Sequence, residues 1–126
     1  TIEQACVQVG CAFEETGELA KTLGDDIAHD VIDGLACNYK SIEPIYLEDL
    51  ASANDKDKIQ MLDDIVDEIV TRVGIAHTMG FDIEGALAEV NRSNFSKFED
   101  GQAVFDENGK ITKGKHYSKP DLKPYI

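Results

Sequence analysis

The chain has 126 residues and a formal net charge of −13 at pH 7, a length that suits one domain with its own core. Apolar residues make up 42% and charged residues 29% of the sequence, which is ordinary for a globular protein and excludes a largely disordered chain. No apolar run approaches the ~20 residues that span a bilayer, and the acidic balance argues against unaided binding to nucleic acid phosphates.

Five helices are predicted in chain order. Apolar residues recur at helical spacing from Thr1 to about Leu23, which predicts the first helix. Gly24 then offers a stop, and Asp25 or Asp26 offers a cap for the second helix.

A short third helix is predicted after Ser41, because Pro44 is tolerated in a first turn. The pair Asn54-Asp55 can cap a long fourth helix, whose apolar residues keep core spacing until it closes at Gly80. This fourth helix has the strongest pattern in the sequence.

Asp82 is predicted to cap a fifth helix that runs towards Phe95. The pattern then changes, so we expect an all-α fold in a single domain, with a helical core of about residues 1–97 and a tail of about 98–126. The tail contains Asn108-Gly109, which suits the positive φ angles of a two-residue turn and predicts a short hairpin.

Three cysteines, Cys6, Cys11 and Cys37, are odd in number and without C-x-x-C spacing. Such a set argues against a disulfide framework and against a zinc site, and we interpret the three as small buried apolar residues. The amino end, residues 1–10, lacks the basic-then-apolar layout of a secretory signal. We therefore expect a cytoplasmic protein.

Two clusters of carboxylates carry the strongest functional signal. Glu15 and Glu18 are three residues apart on the first helix, and Asp64 and Asp67 repeat this spacing on the fourth, so each pair shares a helix face although like charges repel there. If the apolar faces pack the two helices together, the acids can converge into an oxygen-rich site for Mg²⁺ or Mn²⁺. The alternative is a pair of solvated acidic faces.

Basic residues are concentrated in the last thirty residues, after an acidic first three quarters of the chain. This asymmetry suits binding of an anion near the carboxyl end, and the alternative is a tail that aids solubility. The lysines concerned are Lys97, Lys110, Lys113, Lys115, Lys119 and Lys123.

The segments 14–19 (EETGEL) and 63–68 (DDIVDE) resemble the two acidic motifs of the all-α NTP pyrophosphatase superfamily. That superfamily includes MazG-type enzymes, dimeric dUTPases, dCTP pyrophosphatases and phosphoribosyl-ATP pyrophosphohydrolases. Its pattern is ExxE on one helix and ExxD on another, and Glu15, Glu18, Asp64 and Asp67 match the four places.

The segment 89–98 (EVNRSNFSKF) resembles the Asn/Lys segment that follows the last core helix in bacterial and phage members. The ending from Asp106 to Lys113, followed by Tyr117 and residues 120–122 (PDL), is similar to that of phage-type members. The resemblance spans nearly the whole chain, with two departures: Asp64 stands where the family usually has Glu, and residues 28–53 form an insertion between the motifs.

The resemblance implies a MazG-like helical bundle that hydrolyses a nucleoside triphosphate between the α and β phosphates, giving a monophosphate and pyrophosphate. It implies that the four motif carboxylates hold Mg²⁺, for which Mn²⁺ can substitute, and that one first-motif carboxylate accepts the proton of the attacking water. The phosphates would be held by Lys97, Asn94, Arg92, Lys110 and Lys113.

The resemblance also implies a homodimer or homotetramer. The base preference is open, and dGTP is the first candidate because phage relatives serve nucleotide pools; a phage-encoded chain would act in the host cytoplasm. Two alternatives are phosphoribosyl-ATP hydrolysis and a non-catalytic acidic helical module that binds a partner protein.

Overall fold

The computed structural model describes residues 1–105, 107 and 111–126. In these ranges the chain forms five α-helices and a final 3-10 turn, and its extended pairing consists of isolated bridges rather than strands. The all-α prediction is confirmed. Among the described helices none combines the length and apolar character that crossing a membrane requires. The helices are α1 Ile2–Thr22, α2 Asp26–Lys40, α3 Pro44–Ser52, α4 Asp55–Thr78 and α5 Ile83–Phe95.

The first helix begins and ends as the sequence predicts, and the second begins at a predicted cap. Thr1 caps α1 through a capping box, in which its hydroxyl accepts the Gln4 N–H while the Gln4 side chain accepts from the Thr1 amino group. Gly24 follows with a φ of 90°, a left-handed conformation that glycine adopts without strain. Asp25 then caps α2 by accepting the N–H of Ala28 at 2.9 Å.

The remaining helix boundaries also follow the predicted signals. Pro44 opens α3, and the Asn54 side chain caps α4 by accepting the Lys56 N–H at 2.8 Å. Gly80 has a φ of 79° just after α4, and the Asp82 side chain caps α5. These caps satisfy backbone groups that a helix end otherwise leaves unpaired.

The chain divides into two compact units, Thr1–Leu62 and Asp63–Ile126. The prediction of one domain over residues 1–126 stays a prediction. In the first unit, α1 packs along α2, and α3 contacts both. Cys6 and Ala36 are fully buried between the helices, and the ring of Tyr39 lies 5.6 Å from that of Phe13.

The cysteines do not behave alike. Cys6 is buried as predicted, and its thiol donates to the Tyr39 carbonyl at 3.4 Å. Cys11 is half-buried and Cys37 is exposed, so the prediction was wrong for Cys37. That residue directly follows the buried Ala36 and is therefore turned about 100° around α2, away from the seam with α1.

In the second unit, residues 112–126 run back along α5 from its last turn to its first, and we call them the C-terminal strap. Just before the strap, Phe105 and Ile111 form an antiparallel bridge, and at its first residue the Thr112 N–H donates to the Val104 carbonyl at 2.7 Å. The predicted turn at Asn108-Gly109 lies outside the described residues.

Candidate functional site

On α1, Glu14 forms an ion pair, whereas the two motif carboxylates beside it form none with the described residues. Glu14 forms an ion pair with Lys40 of α2 at 2.8 Å, and this hydrogen bond raises the pKa of Lys40. Glu15 and Glu18 are exposed, and within the described part of the chain neither has an ion pair or a hydrogen-bonded side chain. Glu14 therefore helps to hold α1 on α2, whereas the motif carboxylates do not.

On α4, in the second unit, one acid again forms an ion pair and its neighbour forms none with the residues that the structure describes. Glu68 pairs with Arg72 one turn along the helix, at 3.2 Å, while the neighbouring Asp67 has no ion pair among the described residues. Asp64 lies one turn before Asp67, and both are exposed. The motif carboxylates thus present oxygen atoms on successive turns of one helix.

Neither unit by itself, within its described residues, groups three or more His, Cys, Asp and Glu side chains that could hold a metal ion. Each unit instead contains one of the two motif pairs: Glu15 and Glu18 in the first unit, and Asp64 and Asp67 in the second. A donor set made only of carboxylate oxygens suits hard cations such as Mg²⁺ and does not suit Zn²⁺ or copper. The chemistry of the predicted ligands fits Mg²⁺ or Mn²⁺, and a shared site of four carboxylates stays a prediction.

Two of the residues predicted to bind phosphate, Asn94 and Lys97, lie together at the carboxyl end of α5. The Lys97 ammonium donates to the Asn94 side chain at 3.0 Å. Lys113 lies on the strap, with its ammonium 4.9 Å from the centre of the Tyr117 ring, a favourable cation–π geometry. Lys110, also predicted to bind phosphate, lies outside the described residues.

Arg92, the remaining predicted phosphate ligand, is hydrogen-bonded to other groups of the protein. Its guanidinium donates two hydrogen bonds to the Glu89 carboxylate, each of 2.7 Å, and a third to the Lys119 carbonyl at 3.3 Å. A parallel pair of charge-assisted bonds is strong and directional. Arg92 therefore links α5 to the strap.

Glu89 is a residue that the sequence interpretation missed. Besides binding Arg92, it accepts the backbone N–H of Asp121 at 2.9 Å. Arg92 first, and then this N–H, lower the pKa of Glu89 to about 2. The available signal was the Glu-Arg spacing of three residues on a helix, which allows an ion pair but does not indicate the contact with the strap.

Further contacts hold the strap along α5. The Ser118 N–H donates to the Ser96 hydroxyl at 2.9 Å, and at the other end the Asp82 N–H donates to the Tyr125 carbonyl at 2.9 Å. Gly114 lies so close to the segment that follows α5 that a Cβ built on it would stand 2.8 Å from the Lys97 carbonyl oxygen. The strap therefore passes directly beside the backbone of Lys97.

Comparisons of the chain with protein-family models, with curated proteins and with solved structures gave no significant match. Membership of the pyrophosphatase superfamily is therefore a proposal. Its support is the motif resemblance, the all-α fold, and the ion pairs of Glu14 and Glu68, which their neighbours Glu15 and Asp67 do not share among the described residues.

Proposed function

We propose that the chain is a metal-dependent (d)NTP pyrophosphohydrolase, which cleaves between the α and β phosphates to give a (d)NMP and pyrophosphate. The observation that carries this proposal is the pair Glu15 and Glu18. Two like charges on one helix face repel, and among the described residues neither glutamate forms an ion pair, whereas Glu14 pairs with Lys40. A bound divalent cation would offset it.

In this proposal, Glu15, Glu18, Asp64 and Asp67 hold Mg²⁺ or Mn²⁺. The bound cation supplies Lewis acidity and neutralises part of the charge of the triphosphate. A first-motif carboxylate accepts the proton of the attacking water. The phosphates are bound by lysines and a polar group at the end of α5 and on the tail, namely Lys97, Asn94, Lys110 and Lys113, while Arg92, also predicted as a ligand, is held by Glu89.

The substrate follows from the resemblance alone. We propose dGTP as the first nucleotide to test and control of the nucleotide pool as the role, in the cytoplasm, or in the host cytoplasm if a phage encodes the chain. Phosphoribosyl-ATP is the second candidate substrate. The cluster of tail lysines favours a polyphosphate ligand of either kind, because each lysine adds a point charge for phosphate.

We further propose that copies of the chain associate as a homodimer or homotetramer. In the second unit, α4 exposes a stripe of apolar residues at spacings of three and four: Val66 is 48% exposed, Ile69 59% and Val73 43%. Such spacing lines one side of a helix and is typical of helices that pair with one another. A second copy offers the same stripe, so the contact would be self-complementary.

The test is pyrophosphate release from a panel of NTPs, dNTPs and phosphoribosyl-ATP, with Mg²⁺ or Mn²⁺, for the native chain, Glu18→Gln and Glu14→Gln. We expect release that requires metal, falls about a hundredfold or more in Glu18→Gln, and stays near the native rate in Glu14→Gln, because Glu14 is paired with Lys40. The matched control has the same chemical change on the same helix.

No release from any substrate by a folded native chain would overturn the proposal and favour the interaction module. An equal loss in the two variants would instead contradict the division between Glu14 and the motif carboxylates. Retention of full activity in Glu18→Gln would remove Glu18 from the metal site.

A further inference from the structure

We propose that Glu89 is a positioning residue, which anchors the C-terminal strap to α5 so that the strap lysines bind the same phosphates as Lys97. This inference rests on the proposed function and adds to it a residue with no counterpart among the predicted ligands. Glu89 itself does not touch the substrate in this proposal. It acts through the strap.

The anchor has two adjoining points. One Glu89 oxygen accepts the Asp121 N–H at 2.9 Å and an Arg92 N–H at 2.7 Å, and the other oxygen accepts a second Arg92 N–H at 2.7 Å. Arg92 in turn donates to the Lys119 carbonyl at 3.3 Å. One carboxylate and one guanidinium thus hold two strap positions that are two residues apart.

The anchor acts together with further contacts that place the basic part of the strap. Gly114 contacts the Lys97 carbonyl closely, and the Lys115 N–H donates to the Glu99 side chain at 2.8 Å. Lys113 and Lys115 flank that glycine, so the strap brings two lysines to the end of α5 that carries Lys97. Lys113, Lys115 and Lys119 are largely exposed, as residues that bind a polyanion must be.

Holding these cations in place has an energetic reason. The chain has 12 basic residues against 25 acidic ones, so a strap that is not held against α5 would be attracted to carboxylates elsewhere on the protein. Ordering it again when the nucleotide binds would cost free energy and weaken binding. An anchored strap avoids that cost because its lysines are already in position.

The anchor uses only backbone groups of the strap, namely the Asp121 N–H and the Lys119 carbonyl. Substitution of Glu89 therefore leaves every strap lysine in the chain. This allows the position of the lysines to be tested separately from their charge.

The experiment compares the full native chain with Glu89→Gln and Glu84→Gln. Glu84 is exposed in the first turn of α5 and serves as the matched control. We expect Glu89→Gln to raise the KM for the nucleotide about tenfold, as for the loss of a charge-assisted hydrogen bond, while kcat stays within about twofold because the motif carboxylates are unchanged. Glu84→Gln should leave both constants at their native values.

A second readout does not depend on activity. Limited digestion with trypsin should cut Glu89→Gln after Lys113 and Lys115 faster than it cuts the native chain, with the helical circular dichroism unchanged. Faster cleavage together with a native KM would overturn the proposal, since the strap would then have no part in binding. A fall in kcat with an unchanged KM would overturn it too.

If the native chain releases no pyrophosphate, the proposed function fails, and the strap is tested instead with inorganic triphosphate as the probe in a calorimetric titration. Weaker binding by Glu89→Gln than by Glu84→Gln would support the positioning role without the enzyme activity. Equal binding by the two variants, or no binding by the native chain, would overturn it.

Discussion

The ring of Tyr125 lies against Gly85 in the first turn of α5, so closely that a Cβ built on Gly85 would stand 2.6 Å from Cε1 of Tyr125. The backbone of Tyr125 is held at the same place, because its carbonyl accepts the Asp82 N–H at 2.9 Å. A glycine on the helix thus makes room for the end of the strap. A Cβ at this position would also meet the carboxylate of Asp82, which caps α5, so a side chain there would displace the cap, the ring or both.

Gly85→Ala should therefore detach the end of the strap and destabilise the protein by about 1–3 kcal/mol, the usual cost of overpacking. Urea denaturation measures the change in the free energy of unfolding. Gly34→Ala is the matched control, because a Cβ on Gly34 in α2 would meet nothing within 4 Å. Since alanine is the better helix former, the control should gain about 0.5–1 kcal/mol; a similar gain in Gly85→Ala would contradict the close contact.

Gly10 has the same role between α1 and α2. A Cβ there would stand 2.8 Å from the Ala36 carbonyl oxygen and 2.9 Å from the Lys40 nitrogen, and these backbone atoms cannot rotate away as a side chain can. We expect Gly10→Ala to push the helices apart and cost about 1–3 kcal/mol. In Gly17→Ala the nearest atom is 3.4 Å away, on the His29 ring, so the loss should be clearly smaller in the same denaturation measurement.

Gly10 and Gly17 show that a pattern of apolar residues does not reveal where a glycine lets two helices approach closely. The helices were predicted correctly because apolar spacing and caps such as Asp25 and Asp82 are local signals, which depend on residues three or four apart. The seam of α1 was predicted only in part. Gly10 and Gly17 are buried in it, but a glycine carries no apolar signal, and its close approach to another helix depends on the partner.

The strap could not be predicted for a related reason. Its anchors on α5 use the Asp121 N–H and the Lys119 carbonyl, and every residue except proline offers the same two groups. The carboxylate pairs, by contrast, were found at once because spacing of three along a helix places Glu15 beside Glu18. Local spacing is visible in a sequence, whereas a backbone contact across about thirty residues has no signature of residue type.

The attachment of the strap to α5 should weaken at low pH. The pKa of Glu89 falls from its usual 4.5 to about 2 in the folded protein, so the folded state is favoured while Glu89 is ionised. This contribution to stability is complete above about pH 4.5 and is lost as the pH falls through about 2. Mild acid at pH 5 should therefore leave the strap attached.

Pepsin, which is active in acid, can measure release of the strap by limited digestion between pH 4.5 and pH 2. Relative to cleavage of a denatured protein at the same pH, we expect cleavage in the strap to rise over this range in the native chain and to be high throughout it in Glu89→Gln, which lacks the titrating group. The same rise in both proteins would show that some other acid controls the release.

The apolar stripe of α4 gives the last prediction. Ile69 lies in its middle and is 59% exposed, and if a second copy covers it, a charge at this position would be buried without a partner on association. Ile69→Asp should then convert the native dimer or tetramer into a monomer, as measured by light scattering after size exclusion. Ile69→Ser is a milder variant for the case in which the aspartate impairs folding.

Thr71→Asp is the matched control. Thr71 is exposed two residues further along α4, which turns it about 200° around the helix and away from the stripe. The same charge at that position should leave the mass unchanged, because it stays in water whether or not the copies associate. A native chain that is monomeric at tens of micromolar would contradict the association, and an equal loss of mass in both aspartate variants would place the interface on another face.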